Sequence, residues 1–400
     1  MGTKRPILKT SNIETAKKRR IMNFNAHPKR KIAIQFLYLG WHHDGLVQQP
    51  NTKNTVENHL MEALLKTHLI EEWTKCELSR CGRTDKGVSA FKQTAALIVR
   101  SNCPDAFGVF WDDSTPEEIK AAYKSKEEEL PYVKMLNGVL PKTIRVFAWA
   151  PVSRKFNARF DCNKRAYKYS FAKADLNLEK MREAAELLVG EHDYSNFCQI
   201  DMNEKRLEQC YVRKIYDVKI EQVSQNPDND IFSIVELTVT GSGFLWHMIR
   251  YIVTVLQEIG RENEAPSLIS ELLDLTKFPS RPQYTLSSDT PLCLYDCGYN
   301  TEDVEWRIDE KTLTATVTDL QKKWAIYQTR SRMMENMLGE LTQMAELTPK
   351  DMTKGLHEFV QDRPISANYV KFKNRSACES IESKKEKLAK KILLKTTENS

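Results

Sequence analysis

The chain has 400 residues, a formal net charge of +6, and 41% hydrophobic and 28% charged residues. This length suits two or three domains, and the composition excludes a disulfide-stapled miniprotein and a wholly disordered chain. The longest apolar stretch, residues 243–256, contains His247 and Arg250 and is shorter than the ~20 residues of a membrane-spanning helix, so we expect no membrane span.

The distribution of charges and cysteines along the chain further limits the possible class of protein. Residues 1–31 contain ten lysines and arginines against the single acid Glu14, whereas residues 32–370 are acidic overall. Lys17–Arg20 is compatible with a nuclear import signal, a phosphate-binding arm or a solvated tail. The 9 cysteines are scattered without a C-x-x-C pair, which is typical of reduced thiols rather than disulfides or zinc. No signal-peptide core is recognisable, so we expect an intracellular protein.

Residues 31–150 show a pattern that predicts six elements in the order β-α-β-β-α-β. Strands are predicted where branched and aromatic residues cluster, and helices where apolar residues recur every three to four positions. The six elements are a strand over 31–39, a helix over 54–67, strands over 76–80 and 88–99, a helix over 132–139 and a strand over 143–150, with a partly helical insertion over 102–130.

Residues 151–299 repeat that order without a recognisable sequence repeat. We therefore predict an α+β fold of two ferredoxin-like, split β-α-β halves. Their antiparallel sheets would join side by side, with helices on one face and the other face open for a large ligand. The second-half elements are a strand over 164–172, a helix over 178–188, strands over 212–223 and 231–240, a helix over 243–256 and a strand over 292–298.

The remaining segments complete the predicted domain organisation. Residues 1–30 form a basic disordered tail, residues 300–375 a helical extension, and residues 376–400 a basic tail that we expect to fray. The extension carries a methionine-rich apolar stripe over 320–347, for which packing is favoured over a binding groove.

The turn after the second predicted strand concentrates charge. Arg80, Arg83, Lys86 and the more distant Lys92 surround a single carboxylate, Asp85. Such a cluster could hold a phosphate backbone while the acid stays ionised. Taken alone, Asp-Lys-Gly is also an ordinary surface turn.

Arg250 provides a possible partner for that acid. It lies in the apolar helix predicted over 243–256, where a guanidinium must reach solvent or find a carboxylate. If it met Asp85 at ~4 Å, the attraction would be about 4 kcal/mol at an effective dielectric constant near 20. Gly241-Ser242-Gly243 lacks the third glycine of a dinucleotide site, so we expect no nucleotide cofactor there.

A third cluster lies at the start of the second half. Period-two alternation places Arg165, Tyr167 and Tyr169 on one face of a strand that follows Arg159. Aromatic rings beside cations on an open sheet face suit stacking on RNA bases, and a half-buried strand edge is the alternative. His42-His43 has no third ligand at metal spacing, so we expect no metal site.

Together these segments resemble, in order, motifs of the TruA family of tRNA pseudouridine synthases. The resemblance covers about residues 31–299. Within the family, Tyr38-Leu39-Gly40-Trp41 and Arg80-Cys81-Gly82 are most similar to the eukaryotic branch that modifies tRNA positions 38 and 39. The matching segments are Gly82-Arg83-Thr84-Asp85-Lys86-Gly87-Val88-Ser89-Ala90, Phe156-Asn157-Ala158-Arg159-Phe160 with Arg165-Ala166-Tyr167-Lys168-Tyr169, Gly190-Glu191-His192-Asp193-Tyr194-Ser195-Asn196-Phe197, and Gly243-Phe244-Leu245-Trp246-His247-Met248-Ile249-Arg250.

The resemblance implies roles for these residues. Asp85 would be the catalytic carboxylate, Tyr167 would stack on the target uracil, Arg250 would pair with Asp85, and Arg83 would help to extrude the base or fill its place. It also implies a cofactor-independent enzyme that binds tRNA and forms a homodimer. The basic residues before position 31 fit the nucleus or cytoplasm, which we expect, but such a leader can also resemble a mitochondrial transit segment. Whether Asp85 acts as nucleophile or base stays open, as do a sister synthase for another tRNA position and a non-catalytic RNA chaperone. The expected RNA-binding residues are Arg80, Arg83, Lys86, Arg159 and Arg165.

Overall fold

The computed structural model describes residues 22–200, 203, 207–226, 229–366 and 368–398. Residues 1–21 of the predicted basic tail lie outside this range. Residues 22–30 contain a 3-10 turn at Phe24–Ala26 and the start of the first strand, so this part of the tail is structured. Within the described ranges, none of the helices has both the length and the apolar character that crossing a membrane would require.

A single mixed sheet runs through the described part of the chain. Its strands are β1 (Lys29–Tyr38), β2 (Ser79–Arg80), β3 (Ser89–Arg100), β4 (Val109–Phe110), β5 (Ile144–Pro151), β6 (Lys164–Ala172), β7 (Gly190–Asp193), β8 (Val212–Ser224), β9 (Ile234–Gly241), β10 (Leu292–Gly298) and β11 (Arg307–Ile308). The strand order is β11-β5-β1-β3-β10-β6-β9-β8-β7, while β2 pairs with β3 and β4 with β1.

Strand β10 joins the two halves of the sheet. It pairs antiparallel with β6 and parallel with β3, where Cys293 lies opposite Ser89. The other strand pairs described are antiparallel. The last strand of the chain's second half therefore brings the start of β3 beside the middle of β6.

The described helices of at least six residues fall into the two halves and a C-terminal helical region. They are α1 (Val56–Lys66), α2 (Glu117–Ala122), α3 (Tyr132–Asn137), α4 (Leu178–Glu186), α5 (Met248–Gly260), α6 (Leu268–Leu273), α7 (Glu310–Met344), α8 (Pro349–Gln361) and α9 (Ile381–Glu398). The expected fraying after residue 376 is corrected by α9, whose Lys, Leu and Ala residues are strong helix formers and whose Ile381 packs on the protein core.

Two large hydrophobic cores lie on the same face of the sheet. In the first, Ile34 and Phe36 of β1 pack with Leu60 of α1. The second is built around α4 and α5. Leu292 and Leu294 point to one side of β10 but belong to different cores, so the helical layers of the two halves share that face.

The opposite face of the sheet is partly covered, which corrects the expectation that it is open for a ligand. Leu37 of β1 and Phe147 of β5 form a small core there, against which Leu313 and Leu320 of α7 pack. The contact uses the first third of α7. The helix is long enough to continue beyond it, at about 1.5 Å per residue.

Candidate active site

Asp85 lies in the loop between β2 and β3, which a second loop supports. Leu46 N donates to Thr84 O at 3.1 Å, and Gly87 N donates to His43 O at 3.3 Å. Gly45 has φ +97° and a Cβ there would lie 3.1 Å from Thr84 O, so the close approach favours glycine. Residues 43–46 thus hold the loop that contains Asp85 in place by backbone contacts.

Two side chains bind the Asp85 carboxylate directly. Trp246 Nε1 donates to Oδ1 at 3.2 Å, and His247 Nε2 lies 3.3 Å from Oδ2. Both residues come from the turn that precedes α5. His247 has φ +63°, a left-handed conformation that ends the extended segment and starts the helix at Met248. Two consecutive residues of the turn therefore each direct a ring nitrogen at the Asp85 carboxylate.

The surroundings keep Asp85 ionised. Burial raises the pKa of Asp85, but hydrogen bonding and charge from His247, the Trp246 hydrogen bond and the charge of Arg250 together outweigh burial and hold it below its usual range. The side chain remains 38% exposed, so the carboxylate is accessible from the solvent side. A negative, anchored and accessible carboxylate results.

Arg250 contributes charge without touching Asp85. Its side chain is buried, and its Nε donates to Ser287 O at 2.6 Å. The sequence suggested a contact near 4 Å between Arg250 and Asp85. In the structure these two described residues form no ion pair within 4.0 Å. Trp246 and His247 occupy the direct positions, and Arg250 acts at longer range.

Tyr167 and Tyr169 share a face of β6, as predicted, but this is the face with the helical layers. Tyr167 is half-buried where the two cores meet, and its ring packs edge-on against Phe244 with centroids 5.1 Å apart. Burial raises the pKa of Tyr167, so its hydroxyl stays neutral. Tyr169 is fully buried and donates to Ser288 O at 3.0 Å. The expected open stacking platform is therefore wrong for Tyr169.

Arg165 is engaged by the backbone. Its guanidinium donates to Ser242 O at 2.7 Å, Arg159 O at 2.8 Å, Cys81 O at 3.1 Å and Cys162 O at 3.4 Å. These carbonyls belong to three loops around the site. Arg165 is therefore placed to hold these loops together, rather than to face RNA.

Arg80 is also engaged inside the protein. Its Nη2 contacts Glu57, whose side chain is only 3% exposed. Glu57 in turn accepts from Gln48 N at 2.7 Å. The pair connects α1 to the residues that precede the Asp85 loop, so Arg80 supports the loop from behind.

The remaining cations lie at the surface. Lys86 is 77% exposed and pairs with Asp44 at 3.3 Å. Arg83 and Arg159 are exposed, and the Arg159 guanidinium lies 5.7 Å from the ring centroid of Phe160, which is 78% exposed. These three cations are positioned to meet a polyanion.

An open cleft of about 600 Å³ leads to the carboxylate. Its lining includes Asp85, Arg83 and Lys86 from one loop and Gln48 and Gln49 from another. Its size lies within the ~300–1,000 Å³ of small-molecule sites. Its volume is therefore compatible with a nucleotide-sized ligand next to the Asp85 loop.

The sequence reasoning missed Trp246 and His247 as partners of Asp85. Residues 243–256 read as one continuous helix, whereas residues 243–247 form a turn and the helix begins at Met248. The available signal was two consecutive residues with ring nitrogens, Trp246 and His247, three and four positions after Gly243.

Comparisons with known proteins bear on this site. A family model described as tRNA pseudouridine synthase matches residues 184–300. The probable tRNA pseudouridine synthase tag-124 of Caenorhabditis elegans is 74% identical over 391 residues, 98% of this chain and 97% of the relative. The human tRNA pseudouridine(38/39) synthase is 38% identical over 335 residues, 83% of this chain and 68% of the relative. A solved Cbf5-Nop10-Gar1 complex overlaps with a TM-score of only 0.25, at 12% identity over 56% of this chain and 44% of that one.

The near full-length similarity defines the class of protein as an RNA-modifying isomerase. The chain belongs to the tRNA pseudouridine synthase family, and the resemblance to TruA motifs is thereby confirmed. Its substrate class is tRNA.

Proposed function

We propose that Asp85 is the carboxylate that converts uridine to pseudouridine in tRNA. The reaction takes the base out of the stack, breaks its bond to C1′, turns it and rejoins it through C5. These reaction steps involve no net redox change and require one ionised carboxylate. The observation that supports the assignment is the accessible Asp85 carboxylate, which Trp246 and His247 hold in a loop that lines the cleft.

The side chains around Asp85 suit either chemical role of the carboxylate. As a nucleophile it would attack the sugar or base, and as a base it would remove a ribose proton. Both roles need the negative form, which the two ring nitrogens and the charge of Arg250 favour. Tyr167, neutral and packed where the two cores meet, would lie against the flipped uracil.

The exposed cations would bind the tRNA backbone. Arg83 and Lys86 line the cleft, and Arg83 would help to displace the target base. Arg159 with Phe160 offers a cation and an aromatic ring on a neighbouring loop, a combination that suits RNA. Arg80 and Arg165, engaged with Glu57 and with backbone carbonyls, would act indirectly by shaping the loops.

The target is proposed to be uridine at positions 38 and 39 of the anticodon arm. Support comes from the human relative, which is named for these positions and matches 83% of this chain. The test uses unmodified tRNA transcripts with uridine at 38, at 39, at both or at neither, followed by carbodiimide mapping. We expect modification only at positions 38 and 39. Modification at another position would show that the chain is a synthase for that other tRNA position.

The two halves are proposed to be copies of one split β-α-β unit. The first would contain β1, α1, β2, β3, α3 and β5, and the second β6, α4, β8, β9, α5 and β10. Their shared helical face supports this division. Superposition of the two halves in an experimental structure would test it.

We also propose a homodimer that acts in the nucleus or cytoplasm. The exposed apolar residues Met333, Met337 and Leu341 on α7 offer a contact surface of the kind that a second copy could cover. The basic run Lys17–Arg20, outside the described residues, is the proposed import signal. Light scattering tests the dimer, and the location of a tagged chain with Lys17–Arg20 replaced by glutamine tests the import signal.

A further inference from the structure

Three buried cysteines meet behind the proposed catalytic loop. Cys81 precedes the loop, Cys162 precedes β6, and Cys297 lies in β10. Their exposed fractions are 1%, 7% and 4%. Cys81 Sγ and Cys162 Sγ are 3.3 Å apart, and Cys81 donates its S–H to Cys162. Residues far apart in the chain thus form one thiol cluster.

The cluster is connected to the site through Arg165. The Arg165 guanidinium donates to the carbonyl oxygens of both Cys81 and Cys162. Cys81 lies four residues before Asp85, and Cys162 lies five residues before Tyr167. A covalent change between the two sulfurs would therefore act on both proposed functional segments.

One thiol in the cluster, that of Cys162, has a lowered pKa. Hydrogen bonds from Cys297 and Cys81, with the Arg165 charge, lower the pKa of the Cys162 thiol although burial opposes them. The same hydrogen bonding raises the pKa of Cys81 and Cys297, which stay protonated. A thiolate beside a cation is the reactive form of cysteine toward oxidants.

We propose that Cys162 is an oxidation site for hydroperoxides and that Cys81 resolves it to a Cys81–Cys162 disulfide. The Cys162 sulfur attacks one peroxide oxygen, the O–O bond breaks, and hydroxide leaves and takes up a proton. The Cys81 sulfur then attacks the Cys162 sulfenic acid, an S–S bond forms, the S–O bond breaks, and water leaves with the Cys81 proton. Two thiols lose two electrons, and one hydrogen peroxide becomes two waters.

The disulfide would disturb the catalytic loop. A sulfur–sulfur bond of about 2.05 Å requires the two sulfurs to approach by more than 1 Å from their present separation. Misplacement of a catalytic group by about 1 Å can reduce turnover by around 100-fold. This consequence rests on the proposed role of Asp85, whereas disulfide formation itself does not.

The first test identifies the bond. The full chain is treated with graded hydrogen peroxide, free thiols are blocked by alkylation, and peptides are analysed by mass spectrometry without reduction. We expect a linked peptide pair containing Cys81 and Cys162. Oxidation of the exposed Cys210 without that link, or a link from Cys162 to Cys297 instead, would overturn the proposal.

The second test measures the effect on turnover. Peroxide should lower tritium release at least 10-fold in the wild type, dithiothreitol should restore it, and Cys162→Ser should keep its own untreated rate. Cys210→Ser serves as the matched control and should respond like the wild type. A linked wild type with unchanged turnover would refute the regulatory role. The link found in a chain without any turnover would support the oxidation site while contradicting the proposed function.

Discussion

Trp246→Phe isolates one of the two donors to Asp85. The substitution keeps an aromatic ring in the turn before α5 and removes only the Nε1–H that lies 3.2 Å from Oδ1. His247→Asn is the companion change, because asparagine tolerates the left-handed backbone at this position but is too short to replace the Nε2 contact. Both variants remove a contact to Asp85 while they keep the backbone geometry of the turn, so an effect on turnover can be assigned to the lost contact.

The expected loss of kcat can be estimated from how exposed the two side chains in the contact are. A hydrogen bond to a charged group contributes about 1.5–3 kcal/mol. Trp246 is 39% exposed and Asp85 38%, so water replaces part of the lost contact and the low end, about 1.5 kcal/mol, applies. At about 1.4 kcal/mol per tenfold, kcat should fall roughly 10-fold in either single variant. Because both donors bind one carboxylate, the double variant need not be additive.

The assay is tritium release from tRNA carrying 5-tritiated uridine, measured across pH. The ionised form of Asp85 is the active one and its pKa is held low, so removing a donor raises this pKa. The acid limb of the rate profile should then move to higher pH. Trp324→Phe, at an exposed site on α7, is the matched control. Wild-type turnover and an unmoved acid limb in both Asp85-contact variants would refute the positioning role.

Three further predictions concern the surrounding residues. Arg80→Met leaves Glu57 buried without its partner and should lower the free energy of unfolding by about 3 kcal/mol in urea titrations, whereas an unchanged midpoint would show that the pair is unimportant. Tyr167→Phe should retain most turnover and Tyr167→Leu should lose at least 10-fold, because the ring rather than the neutral hydroxyl is expected to contact uracil; equal losses would contradict this. The double variant Arg83→Gln/Lys86→Gln should weaken tRNA binding and reduce the magnitude of its log–log salt slope, and an unchanged slope would remove these residues from the RNA interface.

Strands with regular alternation could be placed from sequence alone. The predicted bounds 164–172 and 292–298 match β6 and β10: β6 carries Arg165, Tyr167 and Tyr169 in period-two alternation, and β10 starts with the same alternation before its register shifts between Leu294 and Asp296. The strand predicted over 76–80 is present only as the two-residue β2, and β4 was missed, since two-residue pairings depend on neighbouring strands rather than on their own pattern.

The site was only partly predictable for a related reason. The alternation of Arg165, Tyr167 and Tyr169 was read correctly, but it could not reveal which face of the sheet the helices cover. That face is decided by packing between distant segments, and it turns Tyr169 into core and Arg165 into a backbone clamp. The late start of α5 likewise depends on contacts that His247 makes with a loop 160 residues away.

The most direct test of the catalytic assignment compares wild type, Asp85→Asn and Asp113→Asn in single-turnover tritium release, with tRNA affinity measured in parallel. Asp113 is an exposed acid in the 102–130 insertion and serves as the matched control. We predict that Asp85→Asn loses release by several orders of magnitude while it still binds tRNA, and that Asp113→Asn behaves like the wild type. Full release by a folded Asp85→Asn protein would contradict the assignment of Asp85 as the catalytic carboxylate.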